Sequence, residues 1–596
     1  MKEWSILPKT SLEPEDKYLN TSRIFLQLLF NRGLKEETAI KKFLSGDLKS
    51  QDTANLDLNQ EFYDPFIFRD MAAAVDLIIN HIKKGNGIVV YGDYDADGVT
   101  SSVALLETLK ILHAKTEVYL PDRVSEGYGL NKMAINQILD SGFKLIVTVD
   151  NGVRNREEVA YAKSKGLDII ITDHHVLPEE KDLPDCLLIN PADKRNNYPC
   201  PFLAGVGVAF KLISALLIKS NLSDSQKKLI SDKVLDLVAV GTIADMVALL
   251  SENRLLVKKG LEILNQNKRL GLNALVKSAK INSGKKLEAW NVGWQIGPRL
   301  NAASRLSHAN TAFALLTCED AAEADVLAEE LNQRNLSRQQ ITKEISLQVE
   351  KQIDANNIPD IIIGIAGEDE IWNEGVIGLV AGRIAEKYYR PTLIITRLVE
   401  EAEFDVKTKK LVPKKVSFKG SGRSIPELNL IQAIETCSQE LDKYGGHPMA
   451  CGFSITEENK LKAFKEKLSA KVTAELAGKT LIPKLEIEAV LEASDINLAL
   501  ADEISKLEPF GQGNQQPRLA SYNLLIEDIS LMGFDNQHIK LRLSGIWALA
   551  FGGAEQYKNF KIGDRVDIAY YLEVNEFNGR REAQLKIIDL RLSEQK

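Results

Sequence analysis

The sequence predicts an α/β protein of several domains: a parallel sheet covered by helices, then a smaller α/β unit, then a β-rich C-terminal part. Three observations support this prediction. Short β-branched runs alternate with amphipathic stretches in the first half of the chain. Aspartates follow the ends of those runs, where functional groups collect in open α/β sheets. From about residue 480 onward, apolar and polar residues alternate as they do in successive strands.

The first α/β domain is expected at 81–318, preceded by a helical segment at 1–80 that we expect to pack on it. The apolar spacing in that segment predicts helices within about 20–50 and 70–84. The β-branched runs of the domain predict strands at 88–91, 117–120, 144–149, 168–172 and 187–190, with helices at 99–112 and 154–165 between them. This alternation is typical of a parallel sheet with both faces covered.

A long polar stretch at 319–357 predicts a connecting helix, because it contains few helix breakers and several charges. A smaller α/β domain is expected at 358–475. There, strands at 361–366 and 392–396 flank a helix at about 376–388, and a charged stretch at 400–415 predicts a hairpin.

The C-terminal part, 480–596, is expected to form a small β-barrel. Five or six predicted strands suit an OB-fold, and Asn578-Gly579 is a hairpin turn signal between the last two. Residues 481–596 contain 13 Lys and Arg against 18 Asp and Glu. Nucleic acid bound here would therefore need a local basic stripe and stacking aromatic side chains. The candidates for stacking are Phe534, Trp547, Tyr570 and Phe577.

Composition limits the classes of protein that fit this sequence but does not identify its function. At about 150 residues per domain, 596 residues suggest three or four domains. The net charge of −8 argues against a surface coated with basic residues, although a local basic groove can still bind nucleic acid. The five cysteines include no CxxC pair, so a zinc or iron–sulfur site is not expected and a reduced compartment fits. The absence of a long apolar run favours a soluble, unsecreted protein with no membrane partner.

Acidic and imidazole side chains follow three of the predicted parallel strands. The first strand is followed by Gly92-Asp93-Tyr94-Asp95-Ala96-Asp97-Gly98, the next by Asp150-Asn151-Gly152, and a third by Asp173-His174-His175. Asp245 closes a predicted helix further on. Because the carboxyl ends of parallel strands share one edge of a sheet, these side chains are expected to converge.

Taken singly, each of these signals has an ordinary structural explanation. An aspartate after a strand is usually a helix N-cap or a turn former, and DYDADG lacks the ligand spacing of an EF-hand. Together, however, so many carboxylates would repel one another strongly unless divalent cations neutralised them. The mixture of carboxylate and imidazole suits Mn²⁺ or Mg²⁺. The sequence therefore predicts a two-ion site in which one aspartate bridges the ions.

In these motifs, and in their order, the chain resembles the DHH phosphoesterase superfamily and within it the RecJ family. Further segments that carry the resemblance are DPFIFRDMAAAV at 64–75, PDRVSEGYGL at 121–130, GPRLNAASR at 297–305, WNEGVIGLVAGRIAEKY at 372–388, SGRS at 421–424, GGHPMACGF at 445–453 and EPFGQGN at 508–514. They span nearly the whole chain. The resemblance implies a DHH catalytic domain, a DHH-associated domain and a C-terminal OB-fold.

The resemblance also implies roles for the motif residues. Asp95 and Asp97 would each bind one ion, Asp150 would bridge both, and His174 and Asp245 would complete the ligand set. Asp93 would bind directly or through water, whereas His175 would contact phosphate or support the ligands. The expected catalytic residues are Asp95, Asp97, Asp150, His174, His175 and Asp245. The expected residues for phosphate or DNA are Arg123, Arg299, Asn301, Arg305, Ser421, Arg423, Ser424, Gly445, Gly446 and His447. The SGRS and GGH segments among them are expected to form glycine-rich loops of the DHH-associated domain, where the backbone can approach a phosphate closely.

Two positions depart from the family pattern. Many members of the superfamily have a histidine four residues before the first ligand aspartate, where this chain has Tyr91. Tyr91 follows an apolar strand, so we expect it to pack rather than to bind metal. Ser304 stands where the family usually has glycine, which raises the question of whether a tight or left-handed backbone is needed there.

The function implied by the resemblance is that of a single-stranded-DNA-specific exonuclease. It would cleave 5′ to 3′ with two divalent ions, as a cytoplasmic monomer of bacterial type. It would act in recombination and repair beside a single-strand-binding protein and a RecQ-type helicase. Two alternatives come from the residues and relatives: a phosphodiesterase for nanoRNA or cyclic dinucleotides, and a non-catalytic DNA-binding scaffold. The barrel part disfavours the former, and the complete set of motif carboxylates disfavours the latter.

Overall fold

The computed structural model describes residues 2–9, 21–45, 62–281, 286–368, 370–405, 410–577 and 579–594. The helices are α1 (Arg23–Asn31), α2 (Glu37–Ser45), α3 (Met71–Lys83), α4 (Ala96–Ile111), α5 (Lys132–Asp140), α6 (Arg156–Ser164), α7 (Gly205–Lys219), α8 (Asp224–Ala244), α9 (Ser251–Leu264), α10 (Leu270–Ser278), α11 (Ala289–Asn291), α12 (Gly297–Leu306), α13 (Asn310–Thr317), α14 (Ala321–Lys351), α15 (Glu374–Tyr388), α16 (Leu430–Glu435), α17 (Glu458–Leu476) and α18 (Leu498–Ser505). None of these described helices combines the length and apolar character needed to cross a membrane.

The strands form three larger sheets and one small two-stranded sheet. They are β1 (Glu3–Ile6), β2 (Gly87–Tyr91), β3 (Thr116–Tyr119), β4 (Phe143–Val149), β5 (Asp168–Thr172), β6 (Leu187–Ile189), β7 (Ile362–Ile365), β8 (Thr392–Asp405), β9 (Lys410–Arg423), β10 (Lys443–His447), β11 (Ala450–Ile455), β12 (Lys484–Ile487), β13 (Ala489–Val490), β14 (Leu519–Met532), β15 (His538–Leu543), β16 (Ile546–Ala550), β17 (Arg565–Phe577) and β18 (Arg580–Leu592).

The chain divides into two compact units. The larger unit consists of Trp4–Asn301, His308–Leu331 and Lys484–Lys596, and the smaller one of Met1–Glu3, Ala302–Ser307 and Asn332–Pro483. The larger unit thus contains the first α/β domain together with the barrel. The predicted connecting helix is observed as α14.

The first sheet has the order β3-β2-β4-β5-β6, and every neighbouring pair is parallel. Its central strands consist almost entirely of buried residues, as expected when helices cover both faces. The strands lie within a residue or two of their predicted positions. Helix α4 begins three residues before its predicted start because Asp95 caps it, accepting hydrogen bonds from the amides of Asp97 and Gly98.

The smaller unit contains a sheet of order β10-β11-β9-β8-β7. The predicted hairpin is confirmed, since β8 and β9 pair antiparallel across most of their length. The GGH and SGRS segments differ from the expected loops, because Gly445, Gly446 and His447 form part of β10 and residues 421–423 form the end of β9. Gly446 has φ 151°, and a Cβ there would lie 2.3 Å from the carbonyl oxygen of Ala450, so this pairing requires glycine.

The C-terminal part is a barrel, which confirms the predicted OB-fold. The strands follow the order β14-β15-β16-β18-β17, and an additional pairing of β14 with β17 closes the sheet. The predicted hairpin between the last two strands is observed, although Asn578 itself lies outside the described residues. The alternating apolar and polar residues at 485–491 do not form a single strand, because β12 pairs with β1 whereas β13 pairs with β14.

The N-terminal segment differs from its expected packing in one respect. Phe25, Leu28 and Leu29 of α1 join the buried core of the barrel, not that of the first α/β domain. Helix α3 packs its apolar face inward with Met71 and Ile78 buried. The apolar stripe of α1 was recognisable in the sequence, but its period identifies only a face to be buried and not the surface that buries it.

Candidate metal centre

The predicted ligand residues of the first sheet lie at the carboxyl ends of β2, β4 and β5. Asp93 follows β2, Asp150 follows β4 and His174 follows β5. Asp150 has φ 64°, a left-handed conformation that Asp adopts more readily than most residues. Its side chain lies so close to Gly205 that a Cβ there would be 2.6 Å from Asp150 Oδ1. The first residue of α7 is therefore restricted to glycine by the aspartate it faces.

Helix ends supply the remaining carboxylates. Asp97 lies in the first turn of α4, and its oxygens accept hydrogen bonds from the amides of Gly205 and Val206 at 2.7 and 2.9 Å. These amides begin α7, where the unpaired donors and the helix dipole favour a negative group. Asp245 is the C-cap residue of α8, an unfavourable place for a carboxylate because the helix dipole presents its negative end there.

The six predicted ligands and His175 form three overlapping groups, in each of which the ligand atoms lie within 4.8 Å of one another. The groups are Asp93, Asp95 and Asp150; Asp97, His174 and Asp245; and Asp150, His174 and His175. Asp150 occurs in two groups, and His174 links the second with the third. This is the arrangement needed for two neighbouring ions with a shared carboxylate.

The buried atoms of the cluster lack the hydrogen bonds that buried polar atoms normally have. The oxygen Oδ1 of Asp93, Oδ1 of Asp150 and Oδ2 of Asp245 have no hydrogen-bond partner among the described residues, and neither does Nε2 of His174. His174 Nε2 lies 3.1 Å from Asp150 Oδ1 and 3.5 Å from Asp245 Oδ2, close enough for a hydrogen bond but without the geometry of one. Oxygen and imidazole donors left unpaired around one space fit Mn²⁺ or Mg²⁺.

The electrostatics of the cluster support the same conclusion. Burial, followed by the charge of neighbouring aspartates, raises the pKa of Asp97 to about 7 and that of Asp245 to about 9. The pKa of Asp150 is also raised, first by burial and then by Asp97. Burial lowers the pKa of His174 to about 4, so its imidazole is neutral and can offer a lone pair to a metal. The cluster resists ionisation until positive charge is supplied.

Two residues that the sequence-based site omitted support His175. The carboxylate of Asp173 lies 2.8 Å from His175 Nδ1 and also accepts the amide of Val153. The hydroxyl of Tyr128 lies 3.0 Å from the same Nδ1 and donates to the carbonyl oxygen of Asp150. Burial opposes protonation of His175, but Asp173 outweighs it and raises the histidine's pKa. Asp173 is the first residue of the DHH motif, and Tyr128 belongs to the segment PDRVSEGYGL. Their presence in these motifs is the sequence signal that could have assigned them to the site.

Three of the predicted DNA-contacting residues lie in the same unit as the metal centre. Asn301 accepts a hydrogen bond from the amide of Ala96, between Asp95 and Asp97. Arg123 places its guanidinium 4.9 Å from the centre of the Tyr94 ring. Arg299 donates to the carbonyl oxygen of Gln295, one helical turn earlier. Of the three, Asn301 is in direct contact with the ligand loop.

In the smaller unit, several predicted phosphate contacts gather at the start of α15. Arg305 donates to the carbonyl oxygen of Gly375, and a Cβ on Gly378 would lie 3.0 Å from Ser421 Oγ and 3.4 Å from Arg423 Nη2. A helix start with nearby guanidinium groups is suited to an anion. Ser424 differs, because its buried hydroxyl donates to the carbonyl oxygen of Leu428 and closes a turn.

The GGH segment is joined to SGRS through β11. Ala450 is the register partner of both His447 and Arg423. Residues Gly445, Gly446 and His447 are exposed on β10. The strand pairing thus brings the two glycine-rich motifs onto neighbouring parts of one sheet.

The candidate stacking residues of the barrel fall into different classes. Tyr570 is fully buried and is a core residue. Trp547 is partly exposed on β16, with Lys540 Nζ 3.9 Å from the centre of its ring, and Phe534 is fully exposed. The side chain of Phe577 lies outside the described residues. Trp547 therefore remains a candidate for stacking on bases, whereas Tyr570 does not.

The structure also answers the two questions raised by the family pattern. Tyr91 is buried, stacks on Tyr119 and donates its hydroxyl to the carbonyl oxygen of Gly129, so its predicted packing role is confirmed. Ser304 lies within α12 and is not among the residues with positive φ. No left-handed backbone is needed at Ser304, and serine is tolerated there.

Three family models match the chain: the DHH family N-terminal domain at 87–242, the DHHA1 domain at 359–474 and the RecJ OB domain at 487–589. With the parallel sheet and the ligand cluster, they define a metal-dependent phosphoesterase of the DHH type. The chain is 36% identical over 581 residues to the single-stranded-DNA-specific exonuclease RecJ of Bacillus subtilis, covering 97% of this chain and 69% of that one. It is 34% identical to RecJ of Escherichia coli, with 87% and 89% covered. The chain belongs to the RecJ family.

Solved structures agree with this assignment. RecJ of Thermus thermophilus in complex with Mn²⁺ matches with a TM-score of 0.78 and 27% identity, covering 100% of this chain and 80% of that one. An exonuclease RecJ bound to manganese matches with a TM-score of 0.56 and 32% identity, covering 70% of this chain and 98% of that one. Both relatives were solved with the kind of ion that the ligand cluster fits.

Proposed function

We propose that this protein is a single-stranded-DNA-specific exonuclease that hydrolyses phosphodiester bonds with two divalent ions, Mn²⁺ or Mg²⁺. One observation carries the proposal: buried carboxylates and a neutral imidazole surround one space with four of their atoms unpaired. The relatives named as single-stranded-DNA-specific exonucleases supply the substrate. Recombination and repair are the processes in which such an enzyme acts.

The proposed ligands divide between the two ions. By proximity, Asp93, Asp95 and Asp150 would hold one ion, and Asp97, His174 and Asp245 would hold the other; Asp150 also lies close to His174. When bound, such ions lower the pKa of a water molecule and neutralise charge on the phosphate. The side chains hold the geometry, and the amides of Gly205 and Val206 fix Asp97. Fixing the ligands before substrate binds reduces the reorganisation needed for reaction.

His175 is the proposed phosphate contact. With Nδ1 held by Asp173, its Nε2 is left for substrate, and its raised pKa favours the protonated form. A protonated imidazole would donate to a phosphate oxygen and balance its charge. In the smaller unit, Arg305, Ser421 and Arg423 are proposed to grip the terminal phosphate, with Gly445, Gly446 and His447 beside them.

Further parts of the proposal rest on family membership alone. Cleavage runs 5′ to 3′, the protein works in the cytoplasm as a monomer, and a single-strand-binding protein and a RecQ-type helicase act beside it. The domain limits proposed are 1–80, 81–318, 319–357, 358–475 and 480–596. Arg123 and Arg299 are proposed DNA contacts near the catalytic domain's own site.

The test uses the full chain with oligonucleotides labelled at either end. Single strand, blunt duplex and dinucleotides are incubated with Mn²⁺ or with EDTA. We expect mononucleotide release from single strand only, in Mn²⁺ only, starting at the 5′ end. Cleavage confined to dinucleotides would replace the proposal with the nanoRNA activity, and binding without cleavage would replace it with a scaffold. Asp150→Asn should be inactive, and Asp185→Asn, an exposed aspartate paired with Lys163, should be fully active.

A further inference from the structure

Two large aromatic side chains stand exposed on one helical segment of the larger unit. Trp290 is 52% exposed and Trp294 is 72% exposed. They belong to a continuous segment in which α11, a π-helical turn at Val292–Ile296 and α12 follow one another. Residues four apart on a helix are neighbours on its surface. The two indole rings therefore form one exposed aromatic face.

The two tryptophans are not needed to anchor their segment to the core. Val292 and Ile296, on the opposite side of the same turns, are completely buried. The segment is thus already anchored by its apolar side, and the tryptophans are additional to that anchor. Exposed rings of this size on a folded protein usually mark a binding surface, and tryptophan is a preferred stacking partner for bases.

The segment leads directly into the metal centre. A Cβ on Gly297 would lie 3.2 Å from the Cβ of Ala244, the last residue of α8 before Asp245. One turn further, Asn301 accepts the amide of Ala96. At a rise of about 1.5 Å per residue, Trp294 stands about 10 Å and Trp290 about 16 Å before Asn301 along the segment.

Beyond Trp290 the face continues to the barrel. Lys586 of β18 places Nζ 5.6 Å from the centre of the Trp290 ring. The same ammonium lies 3.9 Å from Glu573 Oε1, so its charge is partly balanced and a purely electrostatic attraction of nucleic acid here would be weak. Stacking does not need that charge, because every base offers a π face.

We propose that Trp294 and Trp290 form a stacking track for the bases of single-stranded DNA whose scissile phosphate lies at the metal centre. The inference rests on the proposed function and adds a substrate-binding surface to it. At about 3.4 Å per stacked nucleotide, the two rings lie about three and about five nucleotides from the cleaved bond. The bases of a duplex are paired and stacked on each other, so the track also favours single strands.

The test compares substrates that reach the track with substrates that do not. KM and kcat are measured in Mn²⁺ for a 20-nucleotide strand, for a trinucleotide, and for a 20-nucleotide strand whose third to sixth positions are abasic. The variants are Trp290→Ala with Trp294→Ala, the corresponding double Phe and double Leu changes, and the control Leu229→Ala. Leu229 is another exposed apolar residue, near the start of α8 and remote from Asp245.

We expect the double Ala variant to raise KM for the intact 20-nucleotide strand about tenfold or more. KM for the trinucleotide and kcat for both should change less than twofold. The abasic strand should bind wild type as weakly as the intact strand binds the Ala variant, with no further loss when the two are combined. The Phe variant should recover most of the affinity, and the Leu variant should not.

Several results would overturn the proposal. Equal KM for wild type and the Ala variant, or an equal loss on trinucleotide and long strand, would exclude a track. Recovery by Leu would indicate a face for an apolar protein partner instead. Equilibrium binding of intact and abasic strands in EDTA is measured in parallel, so the track is tested even if wild type cleaves nothing. Absence of cleavage by wild type would contradict the proposed function but not the track.

Discussion

Two of the buried ionic clusters in the larger unit are built in opposite ways. In the first, Lys211 and Glu252 are almost completely buried, 1% and 0% exposed, and their charged atoms lie 2.6 Å apart. The remaining bonds are also made: Glu252 accepts from the hydroxyl of Tyr198 and the amide of Tyr63, and Lys211 donates to the carbonyl oxygen of Tyr63. The second cluster, the metal centre, gathers carboxylates and an imidazole, of which three oxygens and one nitrogen have no hydrogen-bond partner among the described residues.

The comparison shows how a structural ion pair differs from a site. Burying a charge is costly unless it is paired and hydrogen-bonded. Lys211 and Glu252 neutralise each other within the chain and hold the segment around Tyr63 against α7 and α9. In the metal centre, burial and neighbouring aspartates raise the pKa values of Asp97, Asp150 and Asp245, so divalent cations from solution would be needed to neutralise these carboxylates. Unsatisfied buried acids, more than acidity itself, therefore indicate the function.

The largest expected effect comes from Asp150→Asn. Asparagine tolerates the left-handed backbone but cannot supply a charged bridging ligand, so kcat should fall by at least about 10³-fold, or about 4 kcal/mol. The metal-free variant should unfold at the same temperature as wild type or higher, because one repelling charge is gone. A drop in activity matched by a drop in melting temperature would point to misfolding and contradict this prediction.

In the cluster of Lys211 and Glu252, removing one charge should lower stability, whereas in the metal centre it should not. Lys211→Met leaves Glu252 buried without its cation, and we expect the free energy of unfolding in urea to fall by about 3–5 kcal/mol. Adding Glu252→Gln should restore much of that stability, since no lone charge then remains. A loss below about 1 kcal/mol in the single variant would remove the distinction drawn between the clusters.

Metal and pH should act together on the second cluster. The pKa values of Asp97 and Asp245 are raised to about 7 and about 9 in the folded protein, so the unfolded chain loses these protons first as pH rises from about 4 to 9. Stability contributed by the cluster in metal-free protein therefore falls with rising pH. Mn²⁺ displaces the protons, and at 100 times its Kd should add about 2.7 kcal/mol.

The measurement is the melting temperature with EDTA and with Mn²⁺ at pH 6 and pH 8, in wild type and Asp150→Asn. The increment due to Mn²⁺ should be larger at pH 8 than at pH 6 in wild type and small in the variant. A Mn²⁺ increment that shrinks as pH rises, or that survives unchanged in Asp150→Asn, would contradict the assignment of these ligands.

A smaller effect is expected for Asp173→Asn. Asp173 lies beside the metal centre, but its carboxylate is fully hydrogen-bonded, unlike several of the predicted ligands. Losing the partner of His175 should lower kcat about 10- to 100-fold. It should also lower the pKa of His175, so the alkaline limb of the activity profile should move to lower pH. Asp173→Asn added to His175→Asn should cost little more than His175→Asn alone; additive losses would mean that Asp173 acts elsewhere.

The smallest effect is expected for Tyr91→Phe. Tyr91 lies at the end of β2 next to the ligand loop. Its hydroxyl donates to the carbonyl oxygen of Gly129, so it already has a hydrogen-bond partner within the protein. The change should cost about 1 kcal/mol of unfolding free energy and alter kcat less than twofold. Loss of Mn²⁺-dependent activity in this variant would show that Tyr91 belongs to the metal centre after all.

Local patterns predicted much of this architecture. The strands of the first sheet, α14, the β8–β9 hairpin and the closing barrel strands were all readable from apolar period and turn residues. The ligand cluster was predictable because parallel strands present their carboxyl ends on one edge. The glycine-rich GGH segment was placed wrongly in a loop, since glycine signals backbone freedom but does not say whether a neighbouring strand uses it.

By itself the sequence determined the strand ends, helix caps and motif order from which the residues of the proposed metal centre were predicted, because these are local properties of the chain. Only the tertiary structure decided which of them are satisfied. It showed that Asp173 supports His175 and that Asp150 leaves no room for a side chain at Gly205. It also showed that α1 completes the barrel core and that Lys211 neutralises Glu252. Those outcomes depend on contacts between residues far apart in the chain, and no local period specifies which buried surfaces will meet.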